Sequence, residues 1–168
     1  MKLSMHAVSV DVFAPALGSL STILEKALAY AQAKKFDPAV LVQARLAPDM
    51  LPLVRQVQLA SDFAKNSVAR LAGQEAPKFP DEEQSIEELR ARIARTLDYL
   101  KTVPAAALDG SEDRDITVPL RDRTLQIKGL PFLQRWALPN FFFHATTAYA
   151  ILRHNGLEIG KRDFLGGI

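Results

Sequence analysis

The sequence predicts an all-α protein, a four-helix bundle with a short β-hairpin between helices three and four. Three observations carry that reading. Apolar residues recur at steps of three and four in four separate stretches, the spacing of one helix face. Proline and glycine punctuate the ends of those stretches. Between residues 116 and 127 the spacing changes to alternation, the mark of strands. A helical content of about 60% or more follows, against the usual third of a globular chain.

The first helix spans Val8 to Lys35, with Phe13, Leu17, Leu20, Leu24, Leu28 and Ala31 on one stripe and a kink expected at Pro15. Residues 38–45 read as a short helical turn before the chain reverses at Leu46-Ala47-Pro48. Pro48 suits a first helical turn and Asp49 places a carboxylate at the positive end of the dipole, so the second helix is expected from there to Ala72. Met50, Leu53, Val57, Ala60, Ala64, Val68 and Leu71 trace its stripe, and Gly73 stops it. The 73–84 connector carries Pro77 and Pro80 and must be extended. Its roughly 12 residues reach about 40 Å, more than the ~33 Å of a 22-residue helix, so the third helix can start parallel to the second.

Ser85 and Glu88 form a capping box ahead of Ile86, Leu89, Ile93, Leu97 and Leu100. Glu88 and Arg92 read as an i,i+4 pair, and the charges of Glu82, Glu83, Arg90, Arg92 and Arg95 as a solvated face. Ile116-Thr-Val118 and Leu125-Gln-Ile127 alternate on either side of Arg121-Asp122-Arg123, which predicts the hairpin. The fourth helix begins near Leu130-Pro131, passes Trp136 and Pro139 and ends near residue 154. Arg153 and His154 occupy its last turn, and Asn155-Gly156 supplies the C-cap.

A chain of 168 residues, 48% hydrophobic and 24% charged, fits one domain over residues 1–168. The net charge of +2, with 21 basic residues scattered among 19 acidic ones, argues against nucleic acid as a partner. The absence of cysteine excludes disulfides, a thiol nucleophile and thiolate metal sites. His6 and Asp11 interrupt the apolar start and leave no secretory h-region, so a cytoplasmic protein is expected. The apolar-rich 137–152 run contains Pro, Asn, His and two Thr, short of the ~20 apolar residues of a membrane span; no membrane association is expected.

The sharpest candidate site lies on the fourth helix. Phe141, His144, Ala148 and Ile151 share its inner stripe, with Asn140 and Thr147 beside them. An unpaired imidazole there would cost roughly 1–3 kcal/mol, so His144 requires a partner. Asn140, Thr147 or a carboxylate of another helix can supply it as a core hydrogen bond; alternatively His144 edges an interhelical ligand pocket, reached by second-helix residues near Asp49 and Gln56. Asp49 with Arg45 and Arg55 forms a second cluster, suited to an anionic ligand. Trp136 and Tyr149 read as amphipathic packing residues, and His6 and His154 as surface residues. No catalytic signature completes itself anywhere in the chain.

Ser4-Met5 with Val10–Phe13, the run Ala44-Arg-Leu-Ala-Pro-Asp-Met50, Asn140-Phe-Phe-Phe-His144, Tyr149, Ile151-Leu-Arg-His-Asn-Gly156 and Gly160-Lys-Arg-Asp163 carry a resemblance that covers nearly the whole chain. The sequence resembles an uncharacterised bacterial family within the DinB/YfiT-like superfamily of four-helix proteins. The resemblance implies an up-down-down-up bundle and a homodimer. It also implies a divalent metal held by one histidine of helix two and two histidines four residues apart on helix four. The present chain departs from that pattern: Ala148 stands four residues after His144, Asn140 four before it, and Met50 to Ala72 contains no histidine. Asp49 or Asp62 would have to replace a ligand, so no metal and no cofactor are expected. Two functions remain: a protein binding a small molecule beside His144 without a metal, and a divergent metal-dependent hydrolase or transferase of the DinB/YfiT type.

Overall fold

In the computed structural model, which describes residues 4–167, 63% of the chain is helical. Helix α1 (Val10–Lys34) runs through Pro15, whose missing amide removes one bond near the helix start, and closes at Lys35 in the left-handed region with φ 58°. The short α2 (Ala39–Val42) follows. Helix α3 (Leu53–Ala72) begins five residues later than the sequence suggests. Pro52 disfavours the helical region for Leu51 and is itself extended, so 47–52 forms a turn in which Met50 N donates to Ala47 O at 3.0 Å. Asp49 therefore faces no helix N-terminus.

Helix α4 (Ile86–Thr102) carries the expected capping box: Glu88 N donates to Ser85 Oγ at 3.1 Å and Ser85 N to Glu88 Oε2 at 3.0 Å. After α5 (Ala105–Leu108) and a 3-10 turn at Ser111–Asp113, strands β1 (Asp115–Pro119) and β2 (Thr124–Lys128) pair antiparallel, Ile116 opposite Ile127 and Val118 opposite Leu125. The last long helix starts near Leu130, as the sequence suggests, and stays helical to His154 with a change of winding inside it. It is built as α6 (Gly129–Phe132), a π-helical turn (Leu133–Ala137) and α7 (Leu138–His154), with α8 (Lys161–Leu165) after it.

Side-chain contacts fix the directions of the four long helices. Arg55 meets Asp81 just ahead of α4, while Arg114, beyond the end of α4, donates to Leu71 O at the end of α3, so α3 and α4 run parallel. Phe13 packs on Phe141 at 4.9 Å and Tyr30 Oη donates to Asn155 O, so α1 and α7 run parallel as well. Gly129, ahead of α7, approaches Leu71 at the far end of α3, whereas His144 meets Gln56 near its start, so α7 opposes α3. The result is an up-down-down-up four-helix bundle, the architecture expected from the sequence. Helix α1 is long and apolar enough to cross a membrane by length and composition, but its Phe13, Leu17, Leu24 and Ala27 are fully enclosed, as befits a core helix.

The connector is fastened by charge rather than by apolar packing alone, and here the expectation of a solvated α4 face is corrected. Arg92 is 0% exposed. Its guanidinium donates to Pro80 O (2.9 Å), Glu83 (3.1 Å), Asp62 (2.9 Å) and Asp81 (2.9 Å), while Glu88 turns away to cap its helix. The buried Lys65 donates to Pro77 O at 2.7 Å. Phe79 of the connector lies against three cations, with Lys65 Nζ 5.0 Å and the Arg95 guanidinium 4.9 Å from its ring centre and Arg92 slightly farther. Burial pushes the Lys65 ammonium below the usual lysine range, with Asp62 opposing that shift. Arg92 lies between Leu89 and Thr96 on the α4 stripe, so its place in the helix, rather than its charge, determines its environment.

Candidate functional site

His144 is brought to its place by the packing of α7 on α3, and 8% of its surface stays accessible. Its Nδ1 lies 2.8 Å from Gln56 Oε1. The Gln56 amide has a fixed sense, because its Nε2 donates to Leu51 O at 3.0 Å and leaves Oε1 as the acceptor. Nδ1 must then carry the proton and donate. In the neutral ring Nε2 is left with its lone pair free; this atom has no hydrogen-bond partner among the described residues and is not an enclosed atom. Burial, reinforced by the nearby Arg55 cation, holds His144 below the usual histidine range, so the neutral tautomer is favoured.

Aromatic rings frame the imidazole. Phe63 stacks on it at 5.6 Å with 18° between planes, and Phe143 meets it edge-on at 5.2 Å and 85°. Phe63 was not singled out from the sequence, although its position seven residues after Gln56 puts both on one face of α3, two turns apart.

The other expected site residues are placed differently. Asn140 Nδ2 donates to Trp136 O at 2.7 Å and Thr147 Oγ1 to Phe143 O at 2.7 Å, so both bond within their own helix and neither partners His144. Arg45 and Asp49 are exposed on the loop before α3, and the Arg45 guanidinium donates to Met50 O at 3.3 Å. Arg55 is taken up by Asp81 and Gln58, so the anionic-ligand cluster does not assemble. Concavities of about 550, 530 and 450 Å³ open elsewhere, at Met5 and Leu133, at Ser19 and Gly166, and at Tyr30 and Gly156.

These residues do not fit the divalent metal of the DinB/YfiT superfamily. Gln56 offers His144 an amide rather than a third imidazole, Ala148 one turn on carries no donor, and Asp62 is engaged by Arg92 and Lys65. Among the described residues no three of His, Cys, Asp and Glu gather as a metal site.

A family model described as a domain of unknown function, DUF1993, matches residues 5–165. The chain belongs to the DUF1993 family. In three dimensions this DUF1993 chain is similar to a DinB family member protein from Shewanella denitrificans, known from a crystal structure, with 44% sequence identity and a TM-score of 0.92. The match covers 98% of this chain and 93% of that one. No curated protein matches.

Proposed function

We propose that this DUF1993 protein binds a small planar molecule at the His144 edge, without a metal, and works as a homodimer. The observation that carries the reading is the Gln56–His144 pair, which places the proton on Nδ1 and leaves Nε2 directed away from its protein partner. Nε2 then accepts a hydrogen bond from a ligand O–H or N–H, while Phe63 and Phe143 offer ring faces and edges to an aromatic body. Arg45 and Asp49 have no part in it.

Two measurements test this. Titration with para-nitrophenol, a planar hydroxyl donor, followed by its absorbance, should saturate in the wild type and be lost in His144→Gln. Metal analysis of protein purified without an affinity tag should find no stoichiometric transition metal; one equivalent of zinc or nickel, lost in His144→Ala, would replace this reading with the metal-dependent hydrolase or transferase.

A further inference from the structure

A half-turn of the Gln56 amide would exchange the roles of the two His144 nitrogens. Reversed, Gln56 Nε2 would donate to His144 Nδ1, the ring proton would move to His144 Nε2, and the site would offer a donor instead of an acceptor. That form is the one histidine prefers in water, so the proton stays on Nδ1 only while Gln56 demands it. What holds Gln56 is Leu51 O, to which its Nε2 donates at 3.0 Å. The reversed amide would set two oxygens against each other there. Gln56 is buried, so its sense is decided by protein groups, and the ring tautomer hangs on one backbone carbonyl.

Pro52 keeps that carbonyl available. In a longer α3 the oxygen of Leu51 would accept from Arg55 N, four residues on. The Pro52 ring disfavours the helical region for Leu51, and Pro52 itself is extended, with φ −72° and ψ 169°. The helix ladder therefore begins with Gln56 N donating to Pro52 O at 3.1 Å, and Leu51 O is left outside it to receive a side chain. Leu53 N donates to Ala44 O at 2.9 Å and ties the same junction to the chain upstream.

We infer that Pro52 is a positioning residue of the His144 site: through Leu51 O and the Gln56 amide it fixes the Nδ1–H tautomer and restricts the site to planar ligands that bring an O–H or N–H. Pro52 acts at two removes, by where it leaves a carbonyl rather than by any group of its own. With Leu51 O drawn into the helix, Gln56 is free to turn, His144 Nε2 becomes a donor, and the site turns from hydrogen-bond donors to acceptors such as carbonyl compounds. The ligand class rests on the reading above; the control of the tautomer does not.

The test uses the full chain with nitrogen-15 in its histidines, because protonated and bare ring nitrogens resonate far apart; His144→Gln identifies the His144 signals. At about pH 8, above the range in which histidine titrates, the wild type should carry the His144 proton on Nδ1. Pro52→Ala should move it to Nε2 while the dichroism spectrum stays helical, and Gln56→Leu, which leaves Pro52 in place, should move it as well. Adding Gln56→Glu to Pro52→Ala should return the proton to Nδ1, since a carboxylate accepts from either oxygen and cannot be reversed. A mere loss of packing at the helix start would not be repaired in this way. Titration with para-nitroaniline, a planar N–H donor, followed by absorbance, should saturate in the wild type, weaken about tenfold in Pro52→Ala, the worth of one hydrogen bond, and recover in the double variant. A wild-type His144 protonated on Nε2, a Pro52→Ala protein that keeps the Nδ1 proton, or a double variant that does not regain it overturns the inference. A wild type with the Nδ1 proton that ignores para-nitroaniline overturns the ligand reading alone.

Discussion

Nδ1 of His144 and Oε1 of Gln56, 88 residues apart in sequence, lie 2.8 Å apart and are the side-chain hydrogen bond that joins α7 to α3 in the bundle interior. Removing either partner orphans the other. His144→Ala and Gln56→Ala should each cost about 1–3 kcal/mol in urea unfolding. The double variant should lose less than the sum of the two, because they share one interaction. Strict additivity would mean that the pair contributes nothing as a pair.

The same histidine sets a pH dependence. Burial and Arg55 lower the His144 pKa on folding, so the unfolded chain binds the proton more readily than the native one. Stability from this group is complete above the unfolded value of about 6.5 and falls as the pH drops through that value toward the lower folded one. In His144→Gln this part of the slope should vanish, as measured by thermal unfolding from pH 8 to pH 5, roughly the range in which histidine titrates. A steeper loss in the variant would reverse the assignment.

Arg92→Ala leaves Asp62, Asp81 and Glu83 facing one another around a buried gap and should cost about 3–5 kcal/mol. Arg92→Lys should recover little of it, since one ammonium cannot reproduce the forked contacts to α3 and the connector. Protease cleavage between residues 73 and 85 should accelerate in both variants, and an unchanged cleavage rate would separate Arg92 from connector anchoring.

Gly129→Ala tests the join between β2 and α6. A Cβ there would overlap the Ser111 carbonyl, a backbone atom that cannot swing aside. A loss of about 1–3 kcal/mol is expected from overpacking, read as a lowered melting temperature.

Much of the fold was legible because helices of 17 residues or more show their period directly, and Ser85, Gly73 and Gly156 mark ends by local chemistry. The α3 start was misplaced because Pro48 and Pro52 both suit a helix entrance, and only the bond from Leu53 N to Ala44 O selects the second. Helices α5 and α8, of four and five residues, are too short for a period to exist. His144 could be identified as an inward polar group needing a partner, and Gln56 as one of its neighbours. The choice of Gln56 over Asn140 or Thr147 depends on the α3–α7 register, which no local pattern encodes. Arg92 reads as a surface residue by its charge, whereas its place three residues after Leu89 and four before Thr96 puts it on the buried stripe.

The interleaving of the bundle has a consequence for synthesis. Helix α1 rests mainly on α4 and α3 mainly on α7, so the helices of the first half find their chief neighbours in the second. A nascent chain that has emerged only as far as Ala72 presents two apolar stripes with little to bury them, and the α3 stripe stays uncovered until α7 leaves the ribosome. The core therefore closes late, only after residues 138–154 have been made, and the apolar stripes of the first half stay exposed until then.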